Sequence, residues 1–380
     1  MSFTSLGLSA SLLKTLANEN YSAPYPIQKE AIPAILKKKD FLGIAKTGSG
    51  KTASYVLPIL NNIKSNETLK NRHIKVLVLV PTRELASQVE LVFRTFASAL
   101  PDKVKTMAIF GGVSINPQMM AMNGVSILVA TPGRLIELTE SNAVHLSDID
   151  TLVLDEADKM LNLGFKEEMQ RIFSLLPKKR QNLLFSATLS DDVENIKQVL
   201  LNNPTIVKIE SKDDDEELID QIAYAVEESR KGPLLRYLIK KDNLQQVLVF
   251  VSSAFKADQV AIKLARNGIH AVSIHGKKSM NSRSESLRRF KTAKIRVLVT
   301  TDLLARGIDI EFLPYVINYE LPRSPKDYVH RIGRTGRAES PGEAISFVTP
   351  DDEHHFNIIQ KKMKKEVNLI DSSSFDLQGY

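Results

Sequence analysis

Short, unbroken runs of branched apolar residues punctuate this chain, and they leave few folds open. The first six are FLGIA (41–45), VLVLV (76–80), MAIF (107–110), SILVA (126–130), TLVLD (151–155) and NLLFSA (182–187). The rhythm resumes with VLVFV (247–251), AVSIH (271–275), VLVTT (297–301), YVINY (315–319) and AISFV (344–348). A strand with one wet face alternates apolar and polar residues. A run that is apolar at every position needs cover on both faces, as helices give a parallel sheet. Mixed segments of helical character separate the runs, TRELASQVELVFRTFASAL (82–100) among them. Strand and helix in alternation predict an α/β fold of the doubly wound kind.

The 380 residues exceed the size at which one core usually stops growing, so two domains are expected. The charged stretch ESKDDDEELIDQ (210–221) carries no apolar run and reads as a solvated connector. These features set the expected boundaries at 1–209 for the first domain, 210–218 for the linker and 219–367 for the second domain, with 368–380 a loose tail. DDEHHFNIIQKKMKKEV (351–367) reads as an amphipathic closing helix, its two histidines facing solvent. No internal repeat is visible, so any likeness between the halves would be one of architecture.

Zero cysteines exclude disulfides and thiolate chemistry. No apolar run approaches the roughly 20 residues that span a bilayer, and Lys14 breaks the order a signal peptide requires, so a cytoplasmic address is expected. A formal charge of +7 suits a polyanionic partner and equally suits an ordinary basic protein; motifs must decide. His275 and His330 lack the spacing and partners of a zinc site.

AKTGSGKT (45–52) follows a strand run and precedes a helical pattern, the context a phosphate-binding loop needs. Its glycines, Gly48 and Gly50, let backbone N–H groups close on phosphate oxygens, with Thr47 and Ser49 among the residues expected at the nucleotide. Lys51 reaches the β and γ phosphates, and the Thr52 hydroxyl can ligate Mg²⁺. Ala45 stands where the general pattern has glycine. In VLDEAD (153–158), Asp155 and Glu156 follow a strand, where one carboxylate can hold Mg²⁺ through water and its neighbour can orient or deprotonate the attacking water.

Read in order with PTRELA (81–86), Gly111 and Gly112, TPGR (131–134), SAT (186–188), VFVSS (249–253), TTDLLARGID (300–309) and HRIGRTGR (330–337), these motifs resemble those of the DEAD-box ATP-dependent RNA helicases over nearly the whole chain. HGKKS and NYELPRSPKDYVHRIGRTGRA are most similar to the bacterial RhlE-type branch. The resemblance implies two RecA-like domains joined by a short linker, ATP and Mg²⁺ as cofactors, and RNA as a partner bound without regard to sequence. Gln28, with Tyr21 nearby, would recognise adenine, while Gly307 and Asp309 would lie at the nucleotide and its ribose. Asp158, Ser186, Thr188 and His330 would couple the domains. Arg83, Gly112, Thr131, Arg134, Arg283 and Thr301 would touch RNA. Arg334 and Arg337 would act as arginine fingers on the transferred phosphate, with Gly333 and Gly336 letting the backbone turn between them.

Three departures from the family pattern stand out. Tyr25 replaces a common threonine, Asn20 a glycine and Met280 a glutamine. The implied activity is ATP hydrolysis triggered by single-stranded RNA, with local unwinding of short duplexes. An ATP-dependent RNA clamp and a DNA helicase of the same superfamily are the alternatives.

Overall fold

The computed structural model describes residues 2–46, 48–63, 71–209, 219–302, 313–336 and 342–380. The chain divides into two compact units, Met1–Ser211 and Lys212–Tyr380. The expected linker, 210–218, lies outside the described residues.

In the first unit, seven strands form one parallel sheet: β1 (Phe41–Ile44), β2 (Val76–Leu79), β3 (Thr106–Ile109), β4 (Ile127–Ala130), β5 (Thr151–Leu154), β6 (Gln181–Ser186) and β7 (Thr205–Lys208). Their order is β3-β4-β2-β5-β6-β1-β7. Successive side chains of a strand point to opposite faces, so VLVL in β2 sends Val76 and Val78 into one core and Leu77 and Leu79 into the other. Both cores are closed by helices. The helix Arg83–Ala97 packs Val89, Phe93 and Phe96 inward, and its start is capped by the Thr82 hydroxyl, which accepts from Leu85 N at 3.3 Å.

The second unit contains β8 (Ile219–Ala225), β9 (Val247–Phe250), β10 (Ala271–Ile274), β11 (Val297–Thr300), β12 (Tyr315–Asn318), β13 (Gly342–Val348) and β14 (Asn368–Asp371). Its order, β10-β11-β9-β12-β13-β8-β14, repeats that of the first sheet strand for strand, again wholly parallel. The halves therefore share one architecture without a sequence repeat.

That correspondence corrects the reading of the C-terminus. Residues 368–380 are not loose: β14 pairs with β8 and takes the place that β7 holds in the first sheet. Phe375 stacks against Tyr224 and Tyr237, and Tyr380 against Tyr237. Arg230 donates to the carbonyls of Ser373 and Phe375 at 2.8 and 2.9 Å. The closing helix is also shorter than expected, Glu353–Met363. Of its histidines His354 is exposed, whereas His355 is half-buried, its Nε2 2.7 Å from the Pro322 carbonyl.

Candidate nucleotide site and nucleic-acid face

In parallel sheets ligands gather at the carboxyl ends of strands. Here β5, β6 and β1 are consecutive neighbours, so the segments that follow them, 155–158, 186–188 and 45–52, meet at one edge. The backbone N–H of Ala45 donates to the Ser186 carbonyl at 3.0 Å and carries the pairing of β1 and β6 into the loop.

The loop is held by its own residues. Lys51 begins the helix Lys51–Asn62, and its Nζ donates to the Ala45 carbonyl at 2.5 Å. Burial pulls the Lys51 ammonium below its usual range against the opposing pull of Asp155 and Glu156. Gly48 and Gly50 both have positive φ, 81° and 85°. At Gly50 a β-carbon would meet Gln28 Nε2 at 2.5 Å and the Tyr25 ring at 2.9 Å, so both conformation and space require glycine. Gln28 is fully buried: its Nε2 donates to the Gly50 carbonyl at 3.1 Å, and its Oε1 accepts from Tyr25 N at 2.9 Å. Tyr25 thus contributes backbone and ring where a threonine was expected. Tyr21 is half-buried between Phe3 and Phe96. Ser49 Oγ is buried with no hydrogen-bond partner, and Thr52 is half-buried.

Beside the loop, Asp155 is buried and accepts from Tyr55 Oη at 2.8 Å and from Glu156 N at 2.9 Å. Tyr55 was not anticipated; inside an apolar helix face it reads as core, which it also is. Burial first, then the neighbouring Glu156, pushes the Asp155 carboxyl up to about 6. Glu156 adopts a left-handed conformation at φ 53°, which costs a non-glycine residue about 1–2 kcal/mol. Such strain persists where surrounding contacts enforce it. The Asp158 carboxylate accepts from Thr188 Oγ1 at 3.1 Å, and Ser186 Oγ donates to the Thr188 carbonyl at 2.8 Å. Three of the four expected coupling residues are therefore in one network within the first unit; His330 lies in the second.

A raised carboxyl pKa has a defined sign. Asp155 binds its proton at about 6 in the fold against 3.8 when free, so its contribution to stability is present below about pH 4 and is lost as pH rises to 6. Asp155→Asn is therefore expected to stabilise the nucleotide-free protein at pH 7, by about 3 kcal/mol at most, and so to raise its unfolding midpoint. The gain should vanish below about pH 4. Thermal unfolding across this range is the check, and a lowered midpoint at pH 7 would contradict it.

The other half of the same sheet edge carries the residues expected at RNA. Gly112 has φ 77°, and a β-carbon there would lie 2.7 Å from an Arg83 guanidinium nitrogen. Thr131 stands immediately before the helix Pro132–Glu140, makes no side-chain capping bond to it and is buried. Arg134 is buried as well: its Nη2 donates to the Val113 carbonyl at 2.8 Å and its Nε to Glu137 at 2.9 Å. This geometry makes Arg134 a brace for the loop at 110–113 rather than an open surface cation. In the second unit, Arg283 is buried on the helix Met280–Lys291, and Thr301 is half-buried just after β11.

Model comparisons find the DEAD/DEAH box helicase family over residues 25–196 and the helicase conserved C-terminal domain over residues 230–339. The DEAD-box ATP-dependent RNA helicase CshA of Streptococcus pneumoniae is 41% identical over 379 residues, covering 99% of this chain and 71% of that protein. CshA of Geobacillus kaustophilus is 37% identical, covering 98% and 79%. This chain is a member of the DEAD-box helicase family. Among solved structures, Saccharomyces cerevisiae Dbp5 bound to RNA and ADP BeF3 matches with a TM-score of 0.84 at 29% identity, covering 98% of this chain and 96% of that one. These DEAD-box relatives are of the CshA type, so the RhlE-type placement is not carried to branch level.

For a DEAD-box protein, the segment HRIGRTGR carries the most specific expectations. The helix Pro325–Ile332 starts on Ser324, whose hydroxyl accepts from Asp327 N, and ends at Gly333 with an ordinary φ of −65°. The tight turn falls instead at Gly336, φ 77°. Arg331 is buried and grips Asp302 with Nε and Nη2 at 2.6 and 2.7 Å, while Nη1 donates to Asn318 and to the Glu320 carbonyl. It also covers the Phe250 ring at 4.9 Å. Arg331 therefore ties the segment to the sheet. Arg334 is buried two residues before Gly336. Arg337, Gly307, Asp309 and Thr47 lie outside the described residues.

Proposed function

We propose that this protein is an RNA-dependent ATPase that unwinds short RNA duplexes locally. One observation carries the reading most directly: a self-held phosphate loop ending in Lys51 stands beside the strained, acidic Asp155–Asp158 segment, with Thr188 joined to Asp158. Phosphoryl transfer needs a phosphate cradle, a counter-cation site and a group to orient water, and this set supplies candidates for each.

Mg²⁺ fits the donor set. Two carboxylate oxygens, Glu156 Oε2 and Asp158 Oδ1, are buried without hydrogen-bond partners, beside the buried Asp155 carboxyl. Thr52 and Asp155 would hold the ion, largely through water, and it would offset charge on the phosphates. Lys51 would leave the Ala45 carbonyl for the β and γ oxygens, and Glu156 would take the proton of the attacking water. Gln28 would read adenine while bracing Gly50. Arg334 and Arg337 would stabilise the transferred phosphate when ATP and RNA together favour closure of the two units, each ligand preferring the closed state. RNA would be met by Arg83, Gly112, Thr131, Arg283 and Thr301, with Arg134 shaping the loop beneath it.

By branch, the identities favour the CshA type over the RhlE type. No helix among the described residues is long and apolar enough to cross a membrane, in keeping with a proposed cytoplasmic location. Contacts to phosphates and 2′-hydroxyls make binding insensitive to base sequence and selective for RNA. Single-stranded RNA is accordingly expected to stimulate ATP hydrolysis strongly and DNA of the same sequence weakly, in steady-state assays at fixed salt. Equal stimulation by both would favour the DNA-helicase reading.

A further inference from the structure

We propose that Lys159 is a positioning residue for Glu156, holding the carboxylate so that one oxygen is fixed and the other is left to receive a proton; this rests on the ATPase reading above. Lys159 follows Asp158 on the short helix Ala157–Asn162. Its Nζ lies 2.6 Å from Glu156 Oε1, and the two side chains are only 13% and 10% exposed. A buried carboxylate oxygen needs a hydrogen-bond donor, and Lys159 supplies it to Glu156 Oε1.

The second oxygen is the telling one. Glu156 Oε2 is buried with no hydrogen-bond partner, so its lone pairs are uncommitted. A general base requires this division, because an oxygen already accepting a strong donor is a poor proton acceptor. The backbone contributes too: Glu156 is forced into left-handed geometry at φ 53° and ψ 46°, with its N–H donated to Asp155 Oδ1. Main chain and Lys159 thus fix the carboxylate from two sides. Lys159 also belongs electrically to the phosphate site, since its charge is felt by the Lys51 ammonium.

In the reaction the water oxygen bonds to the γ phosphorus as its proton passes to Glu156 Oε2. The bond to the β–γ bridging oxygen breaks, and ADP leaves with that electron pair. Lys159 exchanges no proton in this step; it holds Glu156 in place through the Oε1 contact. Without it, Glu156 can turn toward other donors, and the carboxylate is no longer aimed at the attacking water.

Lys159→Met keeps the buried stem and removes the charge, Lys159→Arg restores a cation, and Glu156→Gln serves as reference. In RNA-stimulated steady-state assays at pH 7, Lys159→Met is expected to lower kcat roughly tenfold. The KM for ATP should stay within about a factor of two. Lys159→Arg should recover most of the lost kcat, and adding Lys159→Met to Glu156→Gln should lower the residual rate no further. An unchanged kcat, a raised RNA-independent rate, a loss carried by KM alone, or no recovery with arginine would each overturn the assignment. If the parent protein itself shows no ATP hydrolysis, the ATPase reading fails instead, which separates the two outcomes. A lowered melting temperature with parental kcat would make Lys159 merely structural and also overturn it.

Discussion

Arg334→Ala is expected to lower RNA-stimulated ATP turnover by about 10³-fold or more, while ATP affinity stays within a few-fold of the parent. A transferring phosphate gains negative charge at its equatorial oxygens, and a guanidinium brought to it from outside the cradle acts on the transition state more than on bound ATP. What favours Arg334 for this is how its segment is fixed. Arg334 N donates to the Arg331 carbonyl at 3.1 Å, and its own carbonyl accepts from Leu313 N at 3.0 Å. Arg331, three residues earlier, is locked to Asp302, Asn318 and the Glu320 carbonyl. A cation on so constrained a backbone loses little freedom when it engages a phosphate. Single-turnover hydrolysis, set beside equilibrium binding of a fluorescent ATP analogue, separates chemistry from binding. Parental turnover would remove Arg334 from the mechanism, and a loss confined to affinity would make it a binding residue.

Glu156→Gln should have an effect of similar size by another route. The amide is nearly isosteric, can still meet Lys159 through its oxygen, and cannot accept the water's proton. Turnover is expected to fall by about 10² to 10⁴, the range general-base catalysis supplies. ATP and RNA binding should persist, and the complex with both should live longer than that of the parent if, as proposed, hydrolysis releases it. Strand-release assays beside filter binding measure the two properties. Hydrolysis near the parental rate would show that water is activated without Glu156.

The contrast between what could and could not be read in the sequence follows from burial. All eleven apolar runs became strands, most of them covered on both faces, with the edge strand β3 only half-buried at three of its four residues. The strands β7, β8 and β14 escaped notice for the opposite reason. Residues of β7 alternate between half-buried and exposed, β8 begins within a charged stretch as IDQIAYA, and β14 lies at the sheet edge with three of four residues exposed. In the site, glycine spacing and the DEAD signature mark the loop and its carboxylates, since these chemistries demand particular residue types at fixed intervals. Pairings between distant polar atoms leave no such trace. Tyr55 meets Asp155 across 100 residues, and Arg331 meets Asp302 across 29. Lys159 resembles any lysine on a helix until its ammonium is found on Glu156.

The most direct test uses the absence of cysteine: one introduced at an exposed position in each unit, such as Val199 and Arg266, gives a unique dye pair. Energy transfer is then followed with a non-hydrolysable ATP analogue, with single-stranded RNA, and with both. Transfer should shift to a new value only when both ligands are present, as closure around the nucleotide requires. The same transfer in all conditions, or a full shift with either ligand alone, would contradict it.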